Sequence, residues 1–230
     1  MTQPIVRHMA SIEISEERGV RYLHFGSPWV QGAMRIARPS ALELEYTREL
    51  MLPLLLHPGA WPKSVLQIGL GAASVTRFLY RHRPKARLTV VEIDPQVVAA
   101  ARQFFKLPEE SARLRIEIAD GHEFVASSKG RFDFIVVDAF DEDGRPGMME
   151  TLPFYLNCRE RLTANGMVAV NLLRRRGGTG PVVARLREAF DRILVRPACA
   201  AGNTVALAAT GTGVHLLSLS PALDTDRIPK

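Results

Sequence analysis

The sequence predicts an α/β protein: a doubly wound, mostly parallel sheet with a small N-terminal β-hairpin region. Two observations predict it. From residue 64 onward, short apolar runs alternate with helix-forming segments, and that alternation requires right-handed crossovers and a parallel sheet. Ahead of residue 37, apolar and polar residues alternate as strands do.

The elements follow in order. Ile12 and Ile14 precede a polar run, Ser15-Glu16-Glu17-Arg18-Gly19, which reads as the hairpin turn, and Tyr22, Leu23 and Phe25 follow it. Pro39-Ser40-Ala41-Leu42-Glu43 predicts a helix start, with Ser40 and Glu43 forming a capping box. That helix carries Leu44, Tyr46, Leu50 and Met51, and Pro53 kinks or ends it. His57-Pro58-Gly59 then breaks the chain. Residues 64–68 form the first strand of the main sheet, 74–82 a helix and 88–93 the second strand. Asp94-Pro95 starts the next helix, because Asp caps free amides and Pro fits the first helical position. The helix reaches about Phe105, and the third strand spans 114–118. A short helix follows Gly121. Residues 132–137 are nearly all apolar, as in a central strand covered on both faces. Residues 151–164 predict a helix stopped by Asn165-Gly166. A fifth strand over 167–173, a helix over 181–190 and strands near 192–197 and 204–209 complete the pattern.

With 230 residues the chain suits one core domain with an appendage, divided at about residue 60 into a 1–60 hairpin region with a connecting helix and a 61–230 main domain. Hydrophobic residues at 47% and charged residues at 23% exclude a disordered chain. No uncharged apolar run reaches the ~18 residues needed to cross a bilayer. The first residues lead into Glu13, Glu16 and Glu17, unlike a secretory signal. Cys158 and Cys199 are far apart and lack metal spacing, so a cytoplasmic protein with no disulfide and no metal is expected. The formal net charge is +6, but only 5 of the 30 basic residues are Lys and the arginines are scattered. That points to a solvated basic surface rather than a nucleic-acid partner. The one dense run, at 174–176, precedes Gly177-Gly178 and reads as a solvated loop.

In a doubly wound sheet the ligand sits beyond the carboxyl ends of the strands. Four consecutive predicted strands there end in a glycine turn or an acid. Gly69-Leu70-Gly71 allows a tight turn and close backbone approach ahead of a helix N-terminus. Glu92, about twenty residues on, is either a ribose-binding acid or a solvated strand-end residue. Asp120-Gly121 either bonds an adenine amino group or caps the next helix. Asp138, ending the apolar fourth strand, should be partly buried and therefore hydrogen-bonded, pKa-shifted or both, and Asp141 follows closely. Several acids at one mouth repel each other. A ligand with hydroxyls, an amine and a positive charge offsets that, and S-adenosylmethionine or its decarboxylated form has all three. A nicotinamide dinucleotide fits less well, since Ser74 stands where its fingerprint ends in Gly or Ala.

These segments resemble the spermidine synthases, or polyamine aminopropyltransferases, within the Rossmann-like methyltransferase class. The resemblance runs over about residues 12–210. It rests on Val30-Gln31-Gly32-Ala33-Met34-Arg35, Leu42 through Arg48, Val65 through Gly71, Val91-Glu92-Ile93-Asp94, Ala119 through Phe124 and Val137 through Asp141. It implies aminopropyl transfer from decarboxylated S-adenosylmethionine to a diamine such as putrescine, in a homodimer. It further implies that Gln31 contacts the cofactor and Tyr46 the amine, that Glu92 holds the ribose, and that Asp120 with Gly121 holds the adenine. Asp138 would accept the proton and Asp141 orient the amine. The sequence departs from the family in several places, among them a shorter N-terminal strand region, a Gly-Pro displaced to Arg145-Pro146-Gly147, and Arg174–Arg176, unhelpful beside a polycation if they face the site. Ala72 stands where the family's glycine loop usually carries an Asp that binds the aminopropyl amine, and Glu142 stands where a Pro is usual. Ala72 motivates the alternatives: a methyltransferase using intact S-adenosylmethionine, or a catalytically altered nucleoside-binding relative.

Other residues read as structural. His57 is expected at a helix end and His122 at a helix surface. Trp29, Trp61 and Cys158 are expected in ordinary packing, and Phe104-Phe105 between helix and sheet. Whether Tyr155 lines the pocket is left open.

Overall fold

Strand alternation near the N-terminus produces β1 (Ile12–Glu17), β2 (Val20–Phe25) and β3 (Val30–Arg35), which pair antiparallel in a sheet of their own. The computed structural model describes residues 11–26, 29–57, 59–141, 144–173 and 178–210, with Thr225 and Ile228. The arginine run at 174–176 and Glu142 lie outside these residues. The first turn is tighter than the expected five-residue run. Only Arg18 and Gly19 form it, both with positive φ (49° and 75°), while Ser15 to Glu17 stay paired to β2. A two-residue turn of this hand matches the strand twist, so pairing extends further than polarity suggests.

The next expectation fails. No capping box forms at Ser40, and α1 (Glu45–Leu50) starts at Leu44 without a side-chain cap. Glu43 instead accepts two hydrogen bonds from the Arg35 guanidinium at the end of β3. A two-point charged contact outweighs a single bond to a backbone amide. Pro53 does not kink α1; it occupies the first turn of a separate short helix, α2 (Pro53–Leu56).

The main sheet contains β4 (Ser64–Ile68), β5 (Arg87–Glu92), β6 (Leu114–Ile118), β7 (Phe132–Val137), β8 (Leu162–Leu173), β9 (Arg192–Val195) and β10 (Asn203–Ala209). Their order is β6-β5-β4-β7-β8-β10-β9. The first five are parallel, and β10 runs antiparallel to both its neighbours. The switch point lies between β4 and β7. The connecting helices are α3 (Ser74–His82), α4 (Pro95–Phe104), α5 (Gly121–Ser127), α6 (Leu152–Glu160) and α7 (Gly180–Ala189). Asp94 caps α4 by accepting from the Gln96 amide, with Pro95 in the first turn. The helix expected over 151–164 ends early, at Glu160. Leu162 is already paired with Phe132, and the pairing shifts before Phe134 meets Met167. Asn165-Gly166 therefore interrupts the register of a strand rather than stopping a helix.

The sheet alternates its side chains into two buried layers. Val65, Val90, Val136 and Leu207 face α3, α4 and the α1–α2 segment, which adds Leu50, Met51, Leu52 and Leu54. Leu66, Val91, Ile135 and Val168 face α5, α6 and α7. Cys158 and Tyr155 are fully buried in the second layer, and Tyr155 is thus a core residue. Phe105 packs with Leu23, Met34 and Ala72 and seats the small sheet on the main one. Trp29 departs from expectation: it is 67% exposed and packs in no core. Among the described residues, no helix is long and apolar enough to cross a membrane.

A buried ion pair fastens α1 to the C-terminal strands. Arg196 donates from Nε to Glu49 Oε2 at 2.7 Å, and both residues are buried. Beside it the Ala200 amide donates to Glu45. Removing one partner takes away the buried counter-charge of the other, at a cost of about 3 kcal/mol. Glu49→Ala should therefore lower the unfolding free energy by about that amount in urea titration; a loss under about 0.5 kcal/mol would show that the pair is dispensable.

Candidate active site

The site begins where β4 leaves the sheet. Gly69 has φ of 89°, and its amide donates to Val91 on β5. A Cβ there would overlap the backbone oxygen of Asp138, so only glycine lets β4 and β7 end side by side. Gly71 (φ 50°) and Ala73 (φ 55°) continue the left-handed path into α3. The turn is held from two directions. Glu92 accepts from the Leu70 amide at 2.9 Å and from the Asp94 amide at 3.0 Å. From beneath, Gln67 donates to the Gly69 carbonyl at 2.8 Å and accepts from Thr76 at 2.8 Å. Burial raises the Glu92 pKa, opposed by the amides bonded to it.

Asp138 follows the last residue of β7, and three elements converge on it. Tyr46 of α1 donates its hydroxyl to Oδ2 at 3.2 Å. Asn171 of β8 donates its amide to Oδ1 at 2.8 Å, and Asn203 of β10 donates to Asn171 at 3.0 Å. The residue keeps some surface open, but its carboxyl group lies deep. Burial pushes the Asp138 pKa above the usual carboxylate range, while the bonds from Asn171 and Tyr46 pull it back. Burial and the neighbouring carboxylate both raise the Tyr46 hydroxyl, which stays a donor.

The other predicted positions lie along the same edge. Backbone bonds join Ala119 to Glu92, Gly69 to Val91 and Asp138 to Ile68, so the ends of β6, β5, β4 and β7 form one row. Glu92 and Asp138 flank the glycine turn, about 10 Å apart at two strand spacings. Asp120 Oδ1 accepts from the His122 and Glu123 amides and so caps α5. Gly121 is buried, and a Cβ there would overlap the Ile68 side chain. Gln31 is half-buried on β3, and its carbonyl would lie 3.5 Å from a Cβ at Gly71. Next to it, Gly32 packs on Ala72, where an added Cβ would come within 2.5 Å of the alanine methyl. Asp141 is exposed, and its Oδ1 accepts from the Arg145 amide at 2.6 Å, shaping the loop after β7.

Sequence reasoning missed Asn171, Asn203 and Gln67. A signal existed for two of them: Gln67 and Asn171 each stand within an apolar run, 65–68 and 167–173, and each is buried. A buried amide of that kind needs partners, and here the partners are the glycine turn and the Asp138 carboxylate. Asn203 carried no comparable signal.

The Spermine/spermidine synthase domain family model matches residues 43–171. The polyamine aminopropyltransferase of Chromobacterium violaceum is 37% identical over 207 residues, covering 90% of this chain and 78% of that protein. A probable spermidine synthase from Corynebacterium glutamicum superposes with a TM-score of 0.74 at 22% identity, over 86% of this chain and 76% of that one. Human methyltransferase-like protein 13 in complex with SAH superposes with a TM-score of 0.65 at 26% identity, over 80% and 89% of the two chains. More than half of the chain lies inside the family model and nine-tenths of it aligns with the Chromobacterium relative, and this protein belongs to the spermine/spermidine synthase family.

Proposed function

We propose that the protein transfers the aminopropyl group of decarboxylated S-adenosylmethionine to a small diamine such as putrescine. One observation carries the reading: a buried carboxylate, Asp138, held by Tyr46 and Asn171 immediately beside the glycine turn. The named relatives support the reaction class.

In this reading the diamine enters as an ammonium and gives a proton to Asp138, freeing its lone pair. The amine nitrogen then attacks the methylene carbon bonded to the sulfonium. The new C–N bond forms as the C–S bond breaks, the bonding electrons return to sulfur, and methylthioadenosine leaves. A raised Asp138 pKa brings the base closer to working pH, and such help is typically worth ~10²–10⁴-fold. Holding nitrogen, carbon and sulfur in line supplies roughly 7–11 kcal/mol more. Tyr46 and Asp141 position the amine. Glu92 takes the ribose hydroxyls on lone pairs not used by the Leu70 and Asp94 amides. Asp120 and Gly121 border the adenine, Gln31 covers the donor from β3, and Gly69 and Gly71 let the backbone approach it.

The proposal divides the chain into a covering unit over 1–60 and a nucleoside-binding catalytic unit over 61–230. It places the protein in the cytoplasm as a homodimer, without a resident metal. Two free, buried thiols support the compartment, and exposed Trp29 and Val30 beside the small sheet support self-association.

A second reading, methyl transfer from intact S-adenosylmethionine, is favoured by Ala72. Its side chain is buried against Gly32, so the glycine turn offers no carboxylate to an amine and no repulsion to a donor carboxylate. The similarity to the SAH-bound human protein points the same way.

Asp138→Asn should lower turnover by at least about a hundredfold while nucleoside binding stays within a few-fold; unchanged turnover would remove Asp138 as the base. Because Asp138 must be ionised to act, the acidic limb of kcat/KM should lie above the ordinary carboxylate pKa, ~3.9. Asn171→Ala removes a bond that favours the charged form, so it should move that limb to higher pH; an unmoved limb would refute the assignment. Titration calorimetry with both donors separates the two reactions. Tighter binding of the decarboxylated form is expected, and preference for the intact form would favour methyl transfer.

A further inference from the structure

The fold also carries a cavity away from the acidic mouth. It lies along the flank of α3 and the α3–β5 and α4–β6 connections, toward the amino ends of the strands. It is a groove open to solvent on its outer side, with a volume of about 510 Å³. Arg77, Arg81, Lys106 and Arg113 line it together with Tyr80, Ser40 and three prolines, and no acidic residue does. The two acids after Pro108 do not neutralise it: Glu110 is engaged by Arg102 and the Ile116 amide, and Glu109 is exposed outside the lining.

Two observations show that holding cations here is costly. Arg77 is 3% exposed and binds only neutral groups: the carbonyls of Pro39, Ala72 and Phe105 and the Ser74 hydroxyl. No carboxylate pairs with it among the described residues, and burial alone lowers its pKa to about 9. Lys106 sits where α4 ends, with φ of 49°. The Leu107 amide reaches back to the Ala101 carbonyl, and Lys106 is the left-handed residue that turns the chain back over the end of the helix. Glycine is the ordinary residue there, and a lysine is strained. Arg113 is fixed in place by the Tyr80 and Arg83 carbonyls and lies 4.3 Å from the Tyr80 ring centre.

We propose that this cavity binds a phosphate group, as free phosphate or as a small phosphate monoester. Arg77 and Arg113 form its fixed positive wall, and the exposed side chains of Arg81 and Lys106 close on the anion. A bound dianion supplies the counter-charge that the protein itself does not place there.

The test is thermal unfolding in a phosphate-free buffer at constant ionic strength. Inorganic phosphate, glycerol 3-phosphate and sodium chloride are compared on the full chain. Either phosphate compound should raise Tm by about 3 °C beyond chloride, and which one acts identifies the source of the group. Calorimetry should show the effective compound binding about tenfold more weakly to the Arg81→Ala/Lys106→Ala double variant. Lys106→Gly gives a sharper check. It relieves the strained cap, so unliganded Tm should rise by about 2 °C while the phosphate response shrinks. Equal effects of phosphate and chloride would overturn the proposal. So would an undiminished phosphate response in the double variant, since general salting-out acts on both proteins alike.

Discussion

The close approach of β4 and β7 at Gly69 and Asp138 governs the rest of the site. No side chain fits between the two strand ends, so the chain must turn there with positive φ and cross above the sheet. That path aims the Leu70 amide at Glu92 and sets the start of α3. It also brings the Asp138 backbone into contact with the turn. The same economy of space recurs at Gly32 on Ala72 and at Gly121 on Ile68, which seat β3 and α5 against the two sides of the turn. Three missing side chains thus define the walls of one cleft.

The second constraint is electrostatic. Asp138 and Glu92 both have raised pKa values because their carboxyl groups are buried. A carboxyl group raised in the folded state binds its proton more tightly there than in the unfolded chain. Its contribution to stability is therefore full below the unfolded pKa and is lost as pH rises through the raised value. In their ionised forms the two carboxylates are therefore charges that the fold tolerates rather than gains from. A cationic ligand removes that burden when it binds. The Asn171 amide and the Tyr46 hydroxyl act in the same direction, and Asn171 with Asn203 connects Asp138 to the antiparallel end of the sheet. That end is tied to α1, which carries Tyr46, by the Glu49–Arg196 pair. The second partner of Asp138 is therefore positioned by a contact remote from the cleft.

Much of this was legible in the sequence, for identifiable reasons. The central strands β4 and β7 are largely apolar on both faces, and β4 to β7 each end at glycine or acid, so composition and period mark them together. Asp94-Pro95 marks α4 because cap chemistry is local. What failed was decided by partners distant in sequence. Glu43 satisfies the capping-box pattern but meets Arg35, which only the fold brings near. Asn165-Gly166 looks like a helix stop, yet pairing with β7 holds the segment as strand. Trp29 looks like packing and is exposed. The acidic half of the site could be read because charges at strand ends stand out. The amide half, Gln67, Asn171 and Asn203, could not, because an uncharged polar residue reveals its role only through the group it touches.

The distribution of charge resolves an apparent conflict between the protein and its proposed substrates. A chain of net charge +6 that accepts a diammonium and a sulfonium should repel both. Beyond about 8 Å at physiological ionic strength, however, that repulsion is largely screened, and the local field decides. At the carboxyl ends of the strands, Glu92, Asp120, Asp138 and Asp141 follow successive elements of one edge. Of the cations on the α3 flank, Arg81, Lys106 and Arg113 lie at or beside the α3–β5 and α4–β6 connections, toward the other end of those strands, and Arg77 is occupied by backbone carbonyls. Low-dielectric walls concentrate the acidic field inside the cleft, where a cation is attracted over the last few ångströms. Segregating the two signs also keeps guanidinium groups from pairing with the carboxylates that must stay available. A basic protein can in this way present a mouth for cations, and moving one arginine to that mouth would do more harm than raising the net charge elsewhere.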